Sequence, residues 1–402
     1  MNYFTQLDTE KKYQIENLVS TIEKVFPIPR RYALALPRSI AELSHLLTNN
    51  RSERQGGYMG KPAMLHAYLS FFLPWNVFRL CRLLPSLINE TVMRRFFYEG
   101  AVIVDAGCGP LTFAVSLWIS FPQMRGVKLI FYCIDSNSSA LDAGKKLFHA
   151  ITGGNTSWRI TTIRATLGER IKLPKASFLT AINVFNEIIQ NIPQADTTAL
   201  SKTADKFTSI LSHMILDDGA MLIVEPGVPQ SGQFLSMLRS AFMENGLVIN
   251  APCPHNEALC AMSGGRRGAK WCHFVFDTHN APPLLQKLSA SCGLYKEDAA
   301  LSFLFAARNK AHDNKHDNNS EAGIVAVKLC VLSGSFLIGP AHARYACCKK
   351  GLAVIRGGKT AVENLPAGTV ICLPPPGKCV HDKKTKAIIF DLGESGGARV
   401  TF

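Results

Sequence analysis

The sequence predicts an α/β protein: a parallel sheet covered by helices on both faces, with a helical region before it and a small β-rich domain after it. Three observations carry this. Residues 1–95 hold apolar positions at helical spacing and no strand-like run. From residue 100 short apolar runs alternate with amphipathic segments, which is the pattern of a sheet with crossover helices. After Arg308 a polar stretch, NKAHDNKHDNNSEAG, gives way to short β-like runs separated by glycine and proline. The expected units are therefore 1–95, 96–308 and 324–402.

Tyr13–Val25 has the periodicity of an amphipathic helix, and Ser39–Leu47 repeats it through Ile40, Leu43, Leu46 and Leu47. Pro37 suits the turn leading into that second helix. Arg51–Lys61 is a polar loop with glycines. Ala63–Leu84 resumes helix character around Pro74, and Glu90–Phe97 leads into the next unit. Ala101–Val104 is a strand running into Asp105, Thr112–Ser120 a helix, Lys128–Ile134 a strand closing on Asp135, and Ser138–Ala150 a helix. Phe178–Val184 and Ala220–Val224 are later strands, with a helix over Thr198–Leu216 between them. Beyond the polar linker, Ile324–Leu332, Leu352–Ile355, Thr369–Leu373 and Ala387–Asp391 read as strands of a small barrel or sheet.

The chain has 402 residues, with 44 Lys and Arg against 30 Asp and Glu, a formal charge of +14. Such an excess favours an anionic partner, most simply nucleic acid, through phosphate contacts and counterion release. Arg30, Arg31, Arg38, Arg51 and Arg54 are candidates for such a surface. The N-terminus carries Asp8, Glu10 and Glu16 and no apolar core segment, so it reads as neither a secretory signal nor a transit peptide. The most apolar run, His66–Ile88, contains Pro74, Arg79, Arg82 and Pro85, against a membrane span. Twelve cysteines without an export signal point to reduced thiols or metal ligands. The expectation is a cytoplasmic, monomeric protein.

Asp105, Gly107 and Gly109 follow a strand and precede a helix. Glycine there lets the backbone turn tightly toward a ligand at the carboxyl edge of the sheet. Asp135 closes the next strand, where a carboxylate can accept both hydroxyl hydrogens of a ribose. This is the layout of S-adenosylmethionine-dependent methyltransferases; the dinucleotide fingerprint fails because its third glycine would fall on Thr112. A tight turn in a sheet without ligand is the plainer alternative. Leu111 stands where a third glycine is common. Asn183 and Glu187 sit where base-modifying enzymes carry Asn-Pro-Pro-aromatic, a motif absent here; Asn183 is a candidate cofactor contact, and no catalytic residue emerges.

The segment Ala251–Phe274, APCPHNEALCAMSGGRRGAKWCHF, packs Cys253, Cys260 and Cys272 among prolines and glycines, beside His255 and His273. It is too rich in turn formers for regular structure and too rich in soft ligands for an ordinary loop. Three thiols this close can share one metal centre, with Cys330 the best fourth. Thiolate ligation suits zinc or an iron–sulfur cluster, and spacing does not separate them. Buried thiols without metal are the remaining alternative. Cys81, Cys108, Cys133, Cys292, Cys347, Cys348, Cys372 and Cys379 read as small apolar residues.

Together VDAGCGP, IVEPGVPQSG, APCPH, WCHF and YKEDAALSFLFAAR closely resemble the mitochondrial ribosomal small-subunit methyltransferase-like family and its bacterial relatives. Ala67-Tyr68-Leu69 followed by Pro74 is a weaker match. The resemblance implies a class I methyltransferase fold that binds S-adenosylmethionine at Asp105, Gly107, Gly109 and Asp135. It implies a [4Fe–4S] cluster on Cys253, Cys260, Cys272 and Cys330, zinc being the alternative, and action on small-subunit rRNA in ribosome assembly or translation. Ala261 and Lys270 depart from the family pattern without removing a ligand. Whether methyl transfer occurs is left open: a binding factor and an active rRNA methyltransferase both fit. A radical enzyme does not, because the closely spaced C-x3-C-x2-C loop is missing. The expected role of the cysteine segment is to fasten the C-terminal β domain to the core.

Overall fold

Runs of β-branched and aromatic residues without charge, such as Ala176–Ile182, cannot face water on either side, and they form the interior of the larger sheet. In the computed structural model, which describes residues 1–29, 33–48, 58–256, 260, 271–308, 326–377 and 379–392, that sheet has eight strands. They are β1 (Val102–Ala106), β2 (Ile130–Asp135), β3 (Arg159–Arg164), β4 (Ala176–Ile182), β5 (Ile215–Pro226), β6 (Leu247–Ala251), β7 (Phe274–Asp277) and β8 (Asp298–Arg308). Their order is β3-β2-β1-β4-β5-β8-β6, with β7 also paired to β8. β3 through β5 are parallel neighbours. This is the class I methyltransferase fold, with the strand order reversing between β1 and β4, where such sheets open a crevice at their carboxyl ends.

The expectation of a parallel sheet needs correction. β8 runs antiparallel to β5 on one side and to both β6 and β7 on the other. β6 pairs with the stretch of β8 from Phe305 to Arg308, and β7 with that from Asp298 to Leu301. The chain between them, which holds the three clustered cysteines, therefore leaves and rejoins one sheet edge. β3, unforeseen, is an edge strand with no buried position, so its sequence RITTIR lacks the apolar signal of the interior strands.

Helices cover both faces. Thr112–Ser120 is buried at every position, which explains why it carries no polar stripe. Ser138–Thr152 is capped by Asn137, whose side chain accepts the Ala140 N–H. In the N-terminal region Thr9–Val25 and Leu36–Thr48 are helical. Pro37 lies inside the first turn of the latter, not in the turn before it, because proline needs no N–H donor there. The stretch around Pro74 is three pieces: Pro62–Ala67, a π turn over Tyr68–Phe72, and Leu73–Leu87. The Leu73 N–H reaches back to the Tyr68 carbonyl, which widens the helix just before the proline that cannot donate. Arg30, Arg31, Arg51 and Arg54 lie outside the described residues, as does the polar linker 309–323.

The second sheet has six strands: β9 (Val327–Val331), β10 (Phe336–Ile338), β11 (Ala341–Cys348), β12 (Gly351–Gly357), β13 (Val370–Leu373) and β14 (Ile388–Asp391). Their order is β13-β9-β11-β12-β14, with β10 on β11. β10 and β11 are additions to the sequence reading; His342, Arg344 and Tyr345 interrupt the apolar run that would mark β11. The first residues of the chain tie the two sheets together. Tyr3 donates its N–H to Gly368 O at 3.0 Å, and Val370 donates to Met1 O at 2.8 Å. The Phe4 ring meanwhile stacks on Phe276 at 4.4 Å, and Tyr3 meets Phe303 edge-on at 5.4 Å.

The turn after β1 packs against the helix Ser138–Thr152 at Gly144. A Cβ there would meet the backbone of Pro110 at 2.7 Å and the Leu111 side chain at 2.7 Å. Leu111 itself is fully buried with φ +59. The small residue expected in the turn at Leu111 is thus found across the interface, at Gly144. Gly144→Val should overpack this contact and destabilise the protein by about 1–3 kcal/mol, read as a lower urea midpoint; an unchanged midpoint would contradict it.

Candidate functional site

A cavity of ≈ 570 Å³ opens at the carboxyl ends of β1, β2, β4 and β5. Gly107 and Gly109 on its wall have φ +67 and +53, conformations that a side chain resists. A Cβ on Gly107 would lie 2.3 Å from a Val184 methyl, so this position has no room for one. Asp135 accepts the Gly109 N–H at 2.8 Å through Oδ2 and the Asn137 N–H at 2.8 Å through Oδ1. Burial raises its pKa while these two donors oppose the rise. Asn183, with φ +57, also lines the cavity, as does Glu187. The structure thus brings Gly107, Gly109, Asp135 and Asn183 to one cavity.

Asp105 is placed differently. It is 1% exposed, it does not line the cavity, and neither carboxylate oxygen has a hydrogen-bond partner. Burial first, and then the charge of Asp135, hold its pKa well above the carboxylate range, which favours the neutral acid. Its neighbours are Cys108 and Cys133, with the ligand atoms of the three within 4.8 Å of one another. Cys108 Sγ leans on the Gly109 carbonyl at 3.5 Å. This buried trio underpins the glycine turn from below.

Glu225, the last acid of β5, was not singled out from the sequence. It is fully buried, and its carboxylate accepts three consecutive backbone N–H groups: Val184 at 2.9 Å, Phe185 at 2.7 Å and Asn186 at 2.9 Å. These amides open the short helix Phe185–Ile188, so Glu225 fixes the loop that carries Asn183 and Glu187 to the cavity. Burial pushes its pKa up to about 8 against the pull of the three donors. The signal was present in the acid of IVEPGVPQSG, an uncompensated charge at the end of an apolar strand.

The second site is a small void lined by Cys253, Cys260, Cys272 and Cys330, together with Cys347, Arg239 and His255. All four expected thiols converge. Cys347, read from the sequence as a buried apolar residue, joins them because it stands directly opposite Cys330 in the β9–β11 ladder. Arg239, 2% exposed, donates from Nε to Cys253 Sγ at 3.1 Å and from its terminal nitrogen to His255 O at 3.0 Å. Burial raises the pKa values of Cys253, Cys272, Cys330 and Cys347; Cys253 reaches about 11, and neighbouring thiols add to the rise at Cys272 and Cys347. His273 lies off the void, stacked on Trp271 with ring centroids 4.6 Å apart. Ala261, Lys270 and Gly264, Gly265 and Gly268 lie outside the described residues. A donor set of sulfurs lining one void fits a soft thiophilic metal or cluster.

Trp271 donates its indole N–H to Gly227 O at 3.1 Å, and Ser302 donates to Cys272 O at 2.7 Å. A Cβ on Gly232 would meet Trp271 at 2.7 Å and Cys272 O at 2.9 Å. The segment therefore docks on β8 and on the helix Pro229–Glu244 through positions only glycine permits.

Residues 98–337 match the family described as mitochondrial small ribosomal subunit Rsm22. No curated protein matches the chain. Among solved structures, magnesium protoporphyrin IX methyltransferase from Synechocystis PCC 6803 is 11% identical, covering 67% of this chain and 99% of its own, with a TM-score of 0.36. A class I methyltransferase from Listeria monocytogenes is 10% identical over 75% of this chain and 88% of its own, at 0.35. A methyltransferase from Geobacter sulfurreducens in complex with S-adenosyl-L-homocysteine is 11% identical over 67% and 98%, at 0.32.

Glu225→Gln keeps the size of the side chain but sets an amide donor against a backbone donor, and should destabilise the protein by about 2–3 kcal/mol. A raised carboxyl pKa favours the folded state most at low pH. The wild-type advantage over the variant should therefore fall as pH climbs from the ordinary carboxylate range to about 8. Urea titrations across that window check both, and a pH-independent difference would contradict the burial of a titrating acid.

Proposed function

The chain belongs to the Rsm22 family of the mitochondrial small ribosomal subunit, and on that premise we propose that it binds S-adenosylmethionine and an iron–sulfur cluster and acts on small-subunit rRNA in ribosome assembly or translation. The observation that carries the cofactor reading is Asp135 at the end of β2, held against the Gly109 amide on the wall of the cavity. A carboxylate in that place suits the two hydroxyls of a ribose, and the glycines leave the backbone open to the rest of the ligand. Bound there, the cofactor would supply an electrophilic methyl group.

Cys253, Cys260, Cys272 and Cys330 would hold a [4Fe–4S] cluster, supported by their convergence on one void and by the family resemblance. Their placement, three on the segment between β6 and β7 and Cys330 on β9 of the second sheet, supports a role in fastening those parts together. The charge of +14 supports an RNA partner, since phosphate neutralisation is the general source of such affinity. No described helix is long and apolar enough to cross a membrane.

Crosslinking to RNA in cells, with methylation mapping of the bound sites in the presence and absence of the protein, tests the reading as a whole. Small-subunit rRNA should be recovered, and a methyl group that disappears with the protein would add enzymatic activity. For the cofactor, Asp135→Ala should weaken S-adenosylhomocysteine binding at least about tenfold by calorimetry, the equivalent of one hydrogen bond to a charged group. For the metal, anaerobically purified protein should be brown with iron and sulfide in equal amounts. Cys330→Ser should lower that content while Cys347→Ser preserves it; a colourless protein with one zinc per chain would sink the cluster assignment.

A further inference from the structure

The cavity is larger than its glycine and Asp135 wall, and its far side is built by other elements. The helix Leu73–Leu87 brings Trp75 and Arg79 to it, the turn before that helix brings Phe71, and the segment entering β8 brings Lys296. The Lys296 ammonium lies 5.7 Å from the centroids of both Phe71 and Trp75, a cation–π arrangement on a rigid floor. Arg79 donates to Asn76 Oδ1 at 3.3 Å, and its Nε is buried without a partner. Among the described residues neither cation is engaged in an ion pair, although Glu187 and Asp298 line the same cavity. Burial, and then the charge of Arg79, lower the Lys296 pKa to about 8.

Two like charges aimed into one enclosure repel each other and lose hydration together. This arrangement is costly without an anion between them. A second, independent observation points the same way. Asn186 is 6% exposed and lines the cavity with a side-chain oxygen that has no hydrogen-bond partner, and the amide oxygen of Gln190, another lining residue, is likewise unpartnered. Glu225 fixes Asn186 through its backbone, so that side chain is set in place. A donor-bearing, anionic ligand would satisfy both groups: oxygens toward Arg79 and Lys296, an amino or hydroxyl hydrogen toward Asn186.

We propose that Arg79 and Lys296 form an oxyanion subsite, with Asn186 as its acceptor, in the part of the cavity beyond the glycine turn. The oxyanion is a carboxylate or a phosphate. The first source is the amino-acid end of the cofactor named above, and in that case the subsite rests on the cofactor reading. The second is the phosphate of a nucleotide entering from the solvent side.

Calorimetric titrations on the full-length protein separate these sources. The probes are S-adenosylhomocysteine, 5′-methylthioadenosine, which lacks the amino-acid carboxylate, and a set of ribonucleoside 5′-monophosphates with their parent nucleosides. Each is titrated into wild type, Arg79→Gln and Lys296→Gln, with circular dichroism confirming that the variants fold. If the anion is the cofactor carboxylate, each variant binds S-adenosylhomocysteine at least tenfold more weakly and binds methylthioadenosine as wild type does. If it is a phosphate, S-adenosylhomocysteine affinity is unchanged, while a monophosphate that binds wild type at least tenfold better than its nucleoside loses that preference in the variants. Nucleotide binding without S-adenosylhomocysteine binding would sink the cofactor reading and leave the subsite standing. Variants that fold and bind every probe as wild type does, or a wild type that binds none, would overturn the subsite. Should one variant fail to fold, the other carries the same comparison.

Discussion

β8 is the constraint on which both sites depend. It runs against β5 along one edge, from Ala307 opposite Ala220 to Leu301 opposite Pro226, and so closes the sheet that carries the cavity. Its other edge is divided between β6 and β7. Between those two short partners, Ser302 of β8 donates to the carbonyl of Cys272, at the end of the cysteine segment. A parallel strand in this position would need a crossover of a dozen residues or more and could not present both ends of one insertion to a single edge. Antiparallel pairing is therefore what allows the two ends of the cysteine segment to be held at one sheet edge.

The segment IVEPGVPQSG joins these features, and each of its unusual residues has a separate physical task. Glu225 gathers three amides at the mouth of the loop after β4. Gly227 passes so close to β8 that a Cβ would meet Ala300 at 2.8 Å. Gly232 leaves room for Trp271 and Cys272 on the first turn of the following helix. The order acid, glycine, glycine is the order in which the chain meets the cavity loop, the closing strand and the cysteine segment. Conformational freedom has little part in it, since neither glycine adopts a positive φ; both are present for want of space.

Much of this was legible in the sequence where one residue type has few alternatives. The glycine turn and Asp135 could be read because a strand-turn-helix with a carboxylate one strand away needs those residues at those places. The thiols could be read because cysteines are rare and these are crowded among prolines. Other parts were hidden for definite reasons. β3 carries its arginines on exposed positions and β11 holds His342, a buried Arg344 and Tyr345, so both lack the run of apolar residues that marks an interior strand. Cys347 lies far from Cys253 in sequence, and only the ladder that pairs it with Cys330 places it at the void. Arg79 and Lys296 belong to segments more than two hundred residues apart, so nothing local marks them as neighbours. Asp105 was legible as part of the motif but not in its setting, because burial beneath the turn depends on the packing of Cys108 and Cys133.

The two sites are also near each other through the covalent chain. Gly227 lines the cavity, and its carbonyl accepts the Trp271 indole N–H; Cys272, the next residue, lines the thiol void. One hydrogen bond and one peptide unit therefore separate the wall of the cavity from a sulfur. On the other side of the void, Cys330 and Cys347 belong to the second sheet, and Tyr3, whose pKa burial raises, lies close enough that Cys330 and Cys253 add to the rise. Tyr3 is in turn bonded to Gly368 and packed on Phe303 of β8. The void is thus the place where the N-terminal segment, the edge of the first sheet and the ladder of the second meet. Cross-linking its sulfurs through one centre would remove the relative freedom of all three at once, and that constraint would extend through Trp271 to the cavity wall.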